Sequence, residues 1–504
     1  MAYHFEPRMY MQEKAVPLPS LGPEAAAGAV EESSAAEGKP YLAYILLLGI
    51  MLVYVTVGTC MERRKCAFGH ETGVVIFLGI AIGAILNIYG GKDISTQFNP
   101  VVLFDFGLPF ILYAAGFNMR RRRFFDDINN ITMFGVLSTV VCFVILSLST
   151  LYAFRSGWVY KFSETTADGK WTHEQVTMPA IEISLLCAML CSSDIIAAVS
   201  LVKYKEYPKV FSILLGEGLW NDAVAVVLAQ SAEKLVSKHQ TYTVSTVGLM
   251  IGNFFFLSFV SGVIGLIGGI VSGLMTKHFR FLTRNSIHET FVLVVIAFLS
   301  YYIADLFEMS GIISIIVTSV MQAQYSWYNL SPQGKSVSAV TFQSLGYFAE
   351  ALIFSYIGIG IFRQPQQDWS LSFIGIELIL IVCCRLISLL FVQYVFVLFG
   401  AQHKLKFLEC LFISYAGMIR GAIALGLAIK ASGSFKESEF VVASVLALVI
   451  LSTLIFGSFM PLVARCLLEK PKNHSKTGQV DEAERFNKPQ EEETSNGINE
   501  PLND

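Results

Sequence analysis

Apolar runs of about seventeen or more residues recur along this 504-residue chain between Tyr41 and Leu468, separated by shorter polar connections. A run of that length crosses a bilayer as an α-helix, whereas a barrel strand would alternate at period two over about ten residues. Hydrophobic residues make up 54% of the chain, charged ones 15%, and phenylalanine alone fills 39 positions. That mixture is too apolar for a soluble protein of this length. The sequence therefore reads as an all-α polytopic membrane protein with roughly thirteen transmembrane helices. They are expected to begin near Tyr41, Thr72, Val101, Ile131, Met178, Val210, Val247, Glu289, Gly311, Leu345, Leu371, Leu408 and Phe440. The run from Gly311 to Ala323 is short, and Asp305 to Gly311 reads either as a boundary or as a kink within a helix pair.

Assigning the first loop to the cytoplasm puts Arg63, Arg64, the run Arg120 to Arg123, Lys209, Lys335, Lys404 and Arg465 inside. The positive-inside rule then favours an outer or lumenal N-terminus and a cytoplasmic C-terminus. The formal net charge of −3 hides this sidedness. Basic clusters beside spans serve topology and contact with membrane lipids, and no nucleic-acid partner follows from them. Residues 1–40 are rich in Ala, Glu, Ser and Pro and are expected to form a disordered outer tail. Residues 41–469 form the transmembrane domain, and residues 470–504, with the acidic Glu491, Glu492 and Glu493, are expected to be a short disordered cytoplasmic tail. The nine cysteines lack metal-ligand spacing and are expected to be free thiols.

Inside the span from Val210 to Ala229 stands the segment Gly216-Glu217-Gly218-Leu219-Trp220-Asn221-Asp222. An ionisable side chain near the bilayer centre costs at least a few kcal/mol, and proteins that keep one use it mostly to move an ion or a proton. Glu217 and Asp222 are about 140° apart around a helix, so they face different surroundings and take different jobs. Two other spans carry polar or glycine-rich interruptions: Cys191-Ser192-Ser193-Asp194 in the fifth and Tyr415-Ala416-Gly417-Met418-Ile419-Arg420-Gly421 in the twelfth. Interrupted spans about six positions apart point to inverted six-helix repeats whose two discontinuous helices cross near the midplane. Asp194 and Arg420 would compensate opposite helix-dipole ends at that crossing, with Gly417 and Gly421 at the second break.

Gly216 to Val227 (GEGLWNDAVAVV) resembles the Asn-Asp signature of the sodium/proton exchangers, in the electroneutral branch of the monovalent cation/proton antiporter superfamily. Leu306-Phe307 with Ser310-Gly311-Ile312, Glu350 to Phe354, and Ala416 to Ala424 (AGMIRGAIA) are similar to further exchanger blocks in the family's order. The resemblance implies a thirteen-helix homodimer whose mobile core moves like an elevator past a scaffold. It makes Asp222 the carboxylate that transiently binds Na⁺, K⁺ or a proton, with Asn221, Ser193 and Asp194 as its ligand-bearing neighbours. Ile195 stands where the family usually has proline after that aspartate, and Ala114 where a Leu-Pro-Pro segment usually carries an acid, for which Asp105 is the nearest substitute. The resemblance also implies that Glu217 pairs with Arg420 and braces the core. Glu350 and Arg385, in the tenth and eleventh spans, are expected to form a second, structural ion pair.

One titratable acid exchanges one charge for one, so electroneutral exchange of Na⁺ or K⁺ for H⁺ is the expected function. The rival is a cation channel or pH sensor built on the same buried acids; it would need a filter-like pore loop or an arginine-spaced sensor helix. The eight histidines lie in tails or near span ends and form no catalytic constellation, and no nucleotide-binding loop is present, so neither an enzyme nor a cofactor is expected. The preference between Na⁺ and K⁺, and between plasma membrane and endosomal or vacuolar membrane, stays open.

Overall fold

The computed structural model describes residues 39–64, 71–88, 100–119, 121–165, 170–202, 206–238, 243–279, 281, 285–362, 369–398 and 405–468. The expectations for the two tails fall outside the described residues. The helices, in chain order, are α1 (Lys39–Arg64), α2 (Glu71–Ile88), α3 (Pro100–Phe117), the short α4 (Arg121–Asp126) and α5 (Ile128–Arg155). Next come α6 (Ala180–Leu190), α7 (Ile196–Leu201), α8 (Pro208–Val236), α9 (Val244–His278), α10 (Ser286–Leu306), α11 (Gly311–Met321) and α12 (Pro332–Gly360). The last four are α13 (Leu371–Leu398), α14 (Phe407–Ala416), α15 (Ala422–Lys430) and α16 (Ser438–Leu467). Among the described residues, seven helices are long and apolar enough to cross a membrane, and shorter apolar helices accompany them.

The helices pack as two groups. In one, α12 lies against α2 and α3, and α9 lies against α10 and α11; in the other, α8 packs on α6 and α13 packs on α5. Membrane helices gain nothing from hydrophobicity when they associate, so close approach and polar contacts must hold the first group together. Glycine supplies the approach: a Cβ on Gly358 of α12 would lie 2.6 Å from the Ile76 carbonyl oxygen and 2.8 Å from the Gly79 Cα of α2. Hydroxyls supply the contacts. Ser300 and Thr318 oxygens are 2.8 Å apart between α10 and α11, Thr318 donates to the Gly265 carbonyl of α9 at 3.0 Å, and the Ser310 amide donates to Ser261 at 2.8 Å.

Two elements differ from what the apolar runs suggest, and one alternative left open by them, boundary or kink before Gly311, is decided as a boundary. Helix α12 starts at Pro332 and not near Leu345, because its polar first turns carry no hydropathy signal. Its start is instead fixed by Ser331, whose Oγ accepts from the Gly334 amide at 2.9 Å and donates to Glu289 at 2.8 Å. Between α10 and α11 the chain breaks fully: Glu308 has φ 56° and Ser310 caps α11, which runs on through a π-helical turn at Gln322–Ser326. Finally, the polar connection after α5 forms an antiparallel hairpin, β1 (Tyr160–Thr165) with β2 (Lys170–Gln175), Tyr160 opposite Gln175. The hairpin is tied to the second group through Lys161 and Glu437, 3.1 Å apart, and through the Tyr160 amide, which donates to Ser372 Oγ at 3.1 Å. The eight described cysteines are free thiols.

Replacing Gly358 by alanine is expected to overpack the α2–α12 crossing and cost about 1–3 kcal/mol. A thermal-stability assay in detergent should show a lower melting temperature than the wild type, while Gly375→Ala, where a Cβ meets nothing within 4 Å, should leave it unchanged.

Candidate ion-binding site

Two helices stop inside the protein. Helix α6 ends at Leu190 and α7 begins at Ile196; helix α14 ends at Ala416 and α15 begins at Ala422. The extended segments touch where they pass, the Asp194 amide donating to the Ile419 carbonyl at 2.8 Å. Breaking a helix leaves backbone groups without intrahelical partners, which is tolerable at this depth only if the protein supplies others. Arg420 does so. Its Nη1 donates to the Cys191 and Ser192 carbonyls at 3.1 and 3.2 Å, placing a cation at the negative C-terminal end of α6. Its own amide donates to Ser452 Oγ at 3.0 Å and its carbonyl accepts from Thr453 at 3.2 Å, both on α16. Asp194 sits at the opposite pole: a Cβ on Gly421, the N-cap of α15, would lie 2.7 Å from Asp194 Cβ, so only glycine admits the carboxylate beside that positive helix end.

Proline's absence after Asp194 leaves no gap, because Ile195 N-caps α7 and is buried beneath Gly218 of α8. Helix α8 then brings its two acids to different neighbours. Asp222 is half-buried and lines a cavity of about 410 Å³, with Ser192 donating to its Oδ1 at 2.7 Å. Ser193, Asp194 and Glu350 line the same cavity. Glu217, on the far side of α8, forms a fully buried ion pair with Arg385 of α13.

That pair corrects both expected pairings: Glu217 does not meet Arg420, and Arg385 does not meet Glu350. The physical reason lies at the second break. Gly417 has no side chain, and the Arg385 guanidinium lies across it to reach α8, while Arg420 is committed to the backbone carbonyls of the first break. Glu350 stands across the cavity on α12. Asn221 is fully buried, donates through Nδ2 to Ser193 Oγ and accepts at Oδ1 from Thr139 Oγ1 at 3.1 Å, so it ties α5 to the first break beside Asp222. Asp105 is no substitute for an acid at Ala114, since it lies at the other end of α3, 3.7 Å from Lys430. Ser192, Thr139 and Ser452 were not singled out in the sequence. Ser192 adjoins Ser193 and could have been; the other two are ordinary hydroxyls in apolar helices until the fold brings them to the breaks.

The cavity is asymmetric. Its walls run from Asp222 toward Asn118, Phe211 and Gln343, at one end of the molecule. At the opposite end, Lys430 of α15 lies 3.7 Å from Asp105 and 4.0 Å from Asp305, and Lys234 of α8 donates to the Glu308 carbonyl at 3.1 Å. These contacts join the two helix groups. Their side chains are about half exposed, so each is weak and breakable. No group of three or more described His, Cys, Asp or Glu side chains could hold a resident metal.

A family model described as "Sodium/hydrogen exchanger, transmembrane" matches residues 49–466. The chain belongs to the sodium/hydrogen exchanger family. Sodium/hydrogen exchanger 3 of Arabidopsis thaliana is 25% identical over 449 residues, covering 86% of this chain and 85% of that protein. Sodium/hydrogen exchanger 8 of Rattus norvegicus is 25% identical over 471 residues, covering 89% and 78% respectively. The fold matches the solved structure of the sodium proton antiporter MjNhaP1 from Methanocaldococcus jannaschii, with a TM-score of 0.62 at 16% identity over 86% of this chain and the whole of that one. The protein is thus a multi-pass membrane exchanger with the antiporter fold.

Removing one member of a buried ion pair strands the other, at a cost of about 3–5 kcal/mol. Arg385→Met alone should sharply lower the folded yield in fluorescence-detected size-exclusion chromatography, and adding Glu217→Gln should recover much of it. The same rescue of Arg420→Met by Glu217→Gln should fail.

Proposed function

We propose that this exchanger carries Na⁺ or K⁺ one way and H⁺ the other across its membrane, one charge for one, and so regulates pH and cation content. A single observation carries the reading: the Asp222 carboxylate, half-buried and hydrogen-bonded to Ser192, lines a cavity at the crossing of two broken helices. The unwound backbone, Ser192, Ser193 and Asp194 offer hard oxygen ligands suited to a monovalent cation. A bare carboxylate is expensive to carry through an apolar constriction, whereas one neutralised by a cation or a proton is far cheaper. Forbidding the empty, ionised state couples the two fluxes.

Alternating access follows if the group holding α6, α8, α14 and α15 slides past the other, elevator fashion. The contacts of Lys430 and Lys234 would then break as the far end opens, and their weakness suits that role. A homodimer would give the moving group a fixed frame in the membrane, with the N-terminus outer or lumenal and the C-terminus cytoplasmic.

In sealed proteoliposomes, Asp222→Asn should abolish the pH change driven by either Na⁺ or K⁺ while leaving folded yield near that of the wild type. Robust exchange by this variant would refute the assignment. Ser192→Ala removes a hydrogen bond to a charged group and should raise the apparent KM for the cation about tenfold. Clamping the membrane potential should leave the Na⁺-driven rate unchanged, since one-for-one exchange moves no net charge.

A further inference from the structure

Behind the ion site stands a hydroxyl that belongs to neither broken helix. Helix α5 carries a π-helical turn at Met133–Leu137, and this turn packs against α8. The two backbones nearly touch there: a Cβ on Gly135 would lie 2.7 Å from Trp220 Cβ and 3.5 Å from Glu217 Cα. Four residues further along both helices, Thr139 meets Asn221, and both are fully buried. Thr139 shares its single hydroxyl proton between the Gly135 carbonyl at 2.6 Å and Asn221 Oδ1 at 3.1 Å. Asn221 Nδ2 donates in turn to Ser193 Oγ, and Ser193 lines the cavity with Asp222. One residue before Thr139, the Ser138 and Ser388 oxygens lie 3.1 Å apart and fasten α5 to α13, which holds the row in place.

We propose that Thr139 is a positioning residue that tunes cation affinity: by donating to Asn221 Oδ1 it turns the amide's NH2 end toward Ser193 and so limits what Ser193 can offer the ion. A carboxamide has an acceptor end and a donor end of nearly equal size, and the group behind it selects which end faces forward. Thr139 puts a donor behind, so the oxygen stays behind. Ser193 Oγ then accepts from the NH2 with one of its two lone pairs, which leaves one lone pair and its proton for the cavity. With the amide turned round, Asn221 Oδ1 would take the Ser193 proton, and both lone pairs would be free to face the cation.

Local satisfaction does not account for the arrangement. A threonine inside a helix is commonly satisfied by the carbonyl four residues back, which explains the Gly135 contact and not the one to Asn221. A carrier must also let go of its ion, so a site that withholds one lone pair favours release over retention. Valine at position 139 keeps the branched shape and removes the donor. What remains behind the amide is then the Gly135 carbonyl, an acceptor, which favours the NH2 end there and the oxygen end toward Ser193.

The inference rests on the exchange reading of Asp222, and the test separates the two. Full-length wild type, Thr139→Val, Thr139→Ser, Ser193→Ala, the double variant Thr139→Val with Ser193→Ala, and Asp222→Asn are compared in proteoliposomes. Apparent KM is measured with Na⁺ and with K⁺, rates are normalised to folded protein, and thermal stabilisation by NaCl and KCl in detergent reads affinity without transport. Thr139→Val is expected to bind the carried ion more tightly, lowering its KM and its stabilising concentration about fivefold, the effect of one net hydrogen bond. A merely damaged site would move the other way. Thr139→Ser, which keeps the donor, should match the wild type, and Thr139→Val should change neither quantity once Ser193 is alanine. An unchanged or raised KM in Thr139→Val, or the same fivefold shift without the Ser193 hydroxyl, would overturn the proposal. Should Thr139→Val not fold, Thr139→Ala takes its place, and failure of both to fold would make the hydroxyl a structural group and overturn it too. If Asp222→Asn exchanges normally, the site assignment falls and this inference with it; if that variant is inactive, a KM unmoved by Thr139→Val overturns the inference alone.

Discussion

Every functional feature of this protein depends on keeping unwound backbone alive inside a membrane. Hydrocarbon offers no hydrogen bonds, so two interrupted helices can exist there only by satisfying each other and by borrowing side chains from their neighbours. The Asp194 amide meets the Ile419 carbonyl, Arg420 takes the Cys191 and Ser192 carbonyls just past the end of α6, and Ser452 and Thr453 take up the backbone of Arg420. The buried Glu217–Arg385 pair then fixes α8 against α13 behind the crossing. With that frame in place, Asp222 is presented to the cavity with the Ser192 hydroxyl donating to it.

The same frame divides labour between groups that look alike in one dimension. Asn221 and Asp222 are adjacent in sequence, yet successive helical positions point about 100° apart, so one is locked to Thr139 and Ser193 while the other faces the cavity. Arg385 and Arg420 are both buried cations, yet one neutralises a carboxylate and the other a helix end. Polarity at membrane depth is therefore concentrated where it orients something, and the other helix group is held by glycine contacts and hydroxyl pairs that need no charge.

Much of this was legible in the chain itself. Apolar run lengths give a helical multi-pass membrane protein, the acids and amide in the sixth span mark the candidate site, and Gly417, Gly421 and the Ser-Ser-Asp stretch mark the breaks. What the apolar runs missed has a common cause: hydropathy is blind to polar turns. The first turns of α12 are set by Ser331 and Glu289, and the hairpin at Tyr160–Thr165 and Lys170–Gln175 is set by pairing within a polar connection.

The sequence by itself determined that the chain lives in a bilayer, which helix carries an acid that a soluble core would not keep, and where backbone regularity must fail, because these follow from local composition and solvent. Only the tertiary structure decided which arginine answers Glu217 and which of two neighbours faces the cavity. Those outcomes depend on contacts between residues tens to more than a hundred positions apart, and a linear pattern of charges fits several pairings equally well until packing selects one.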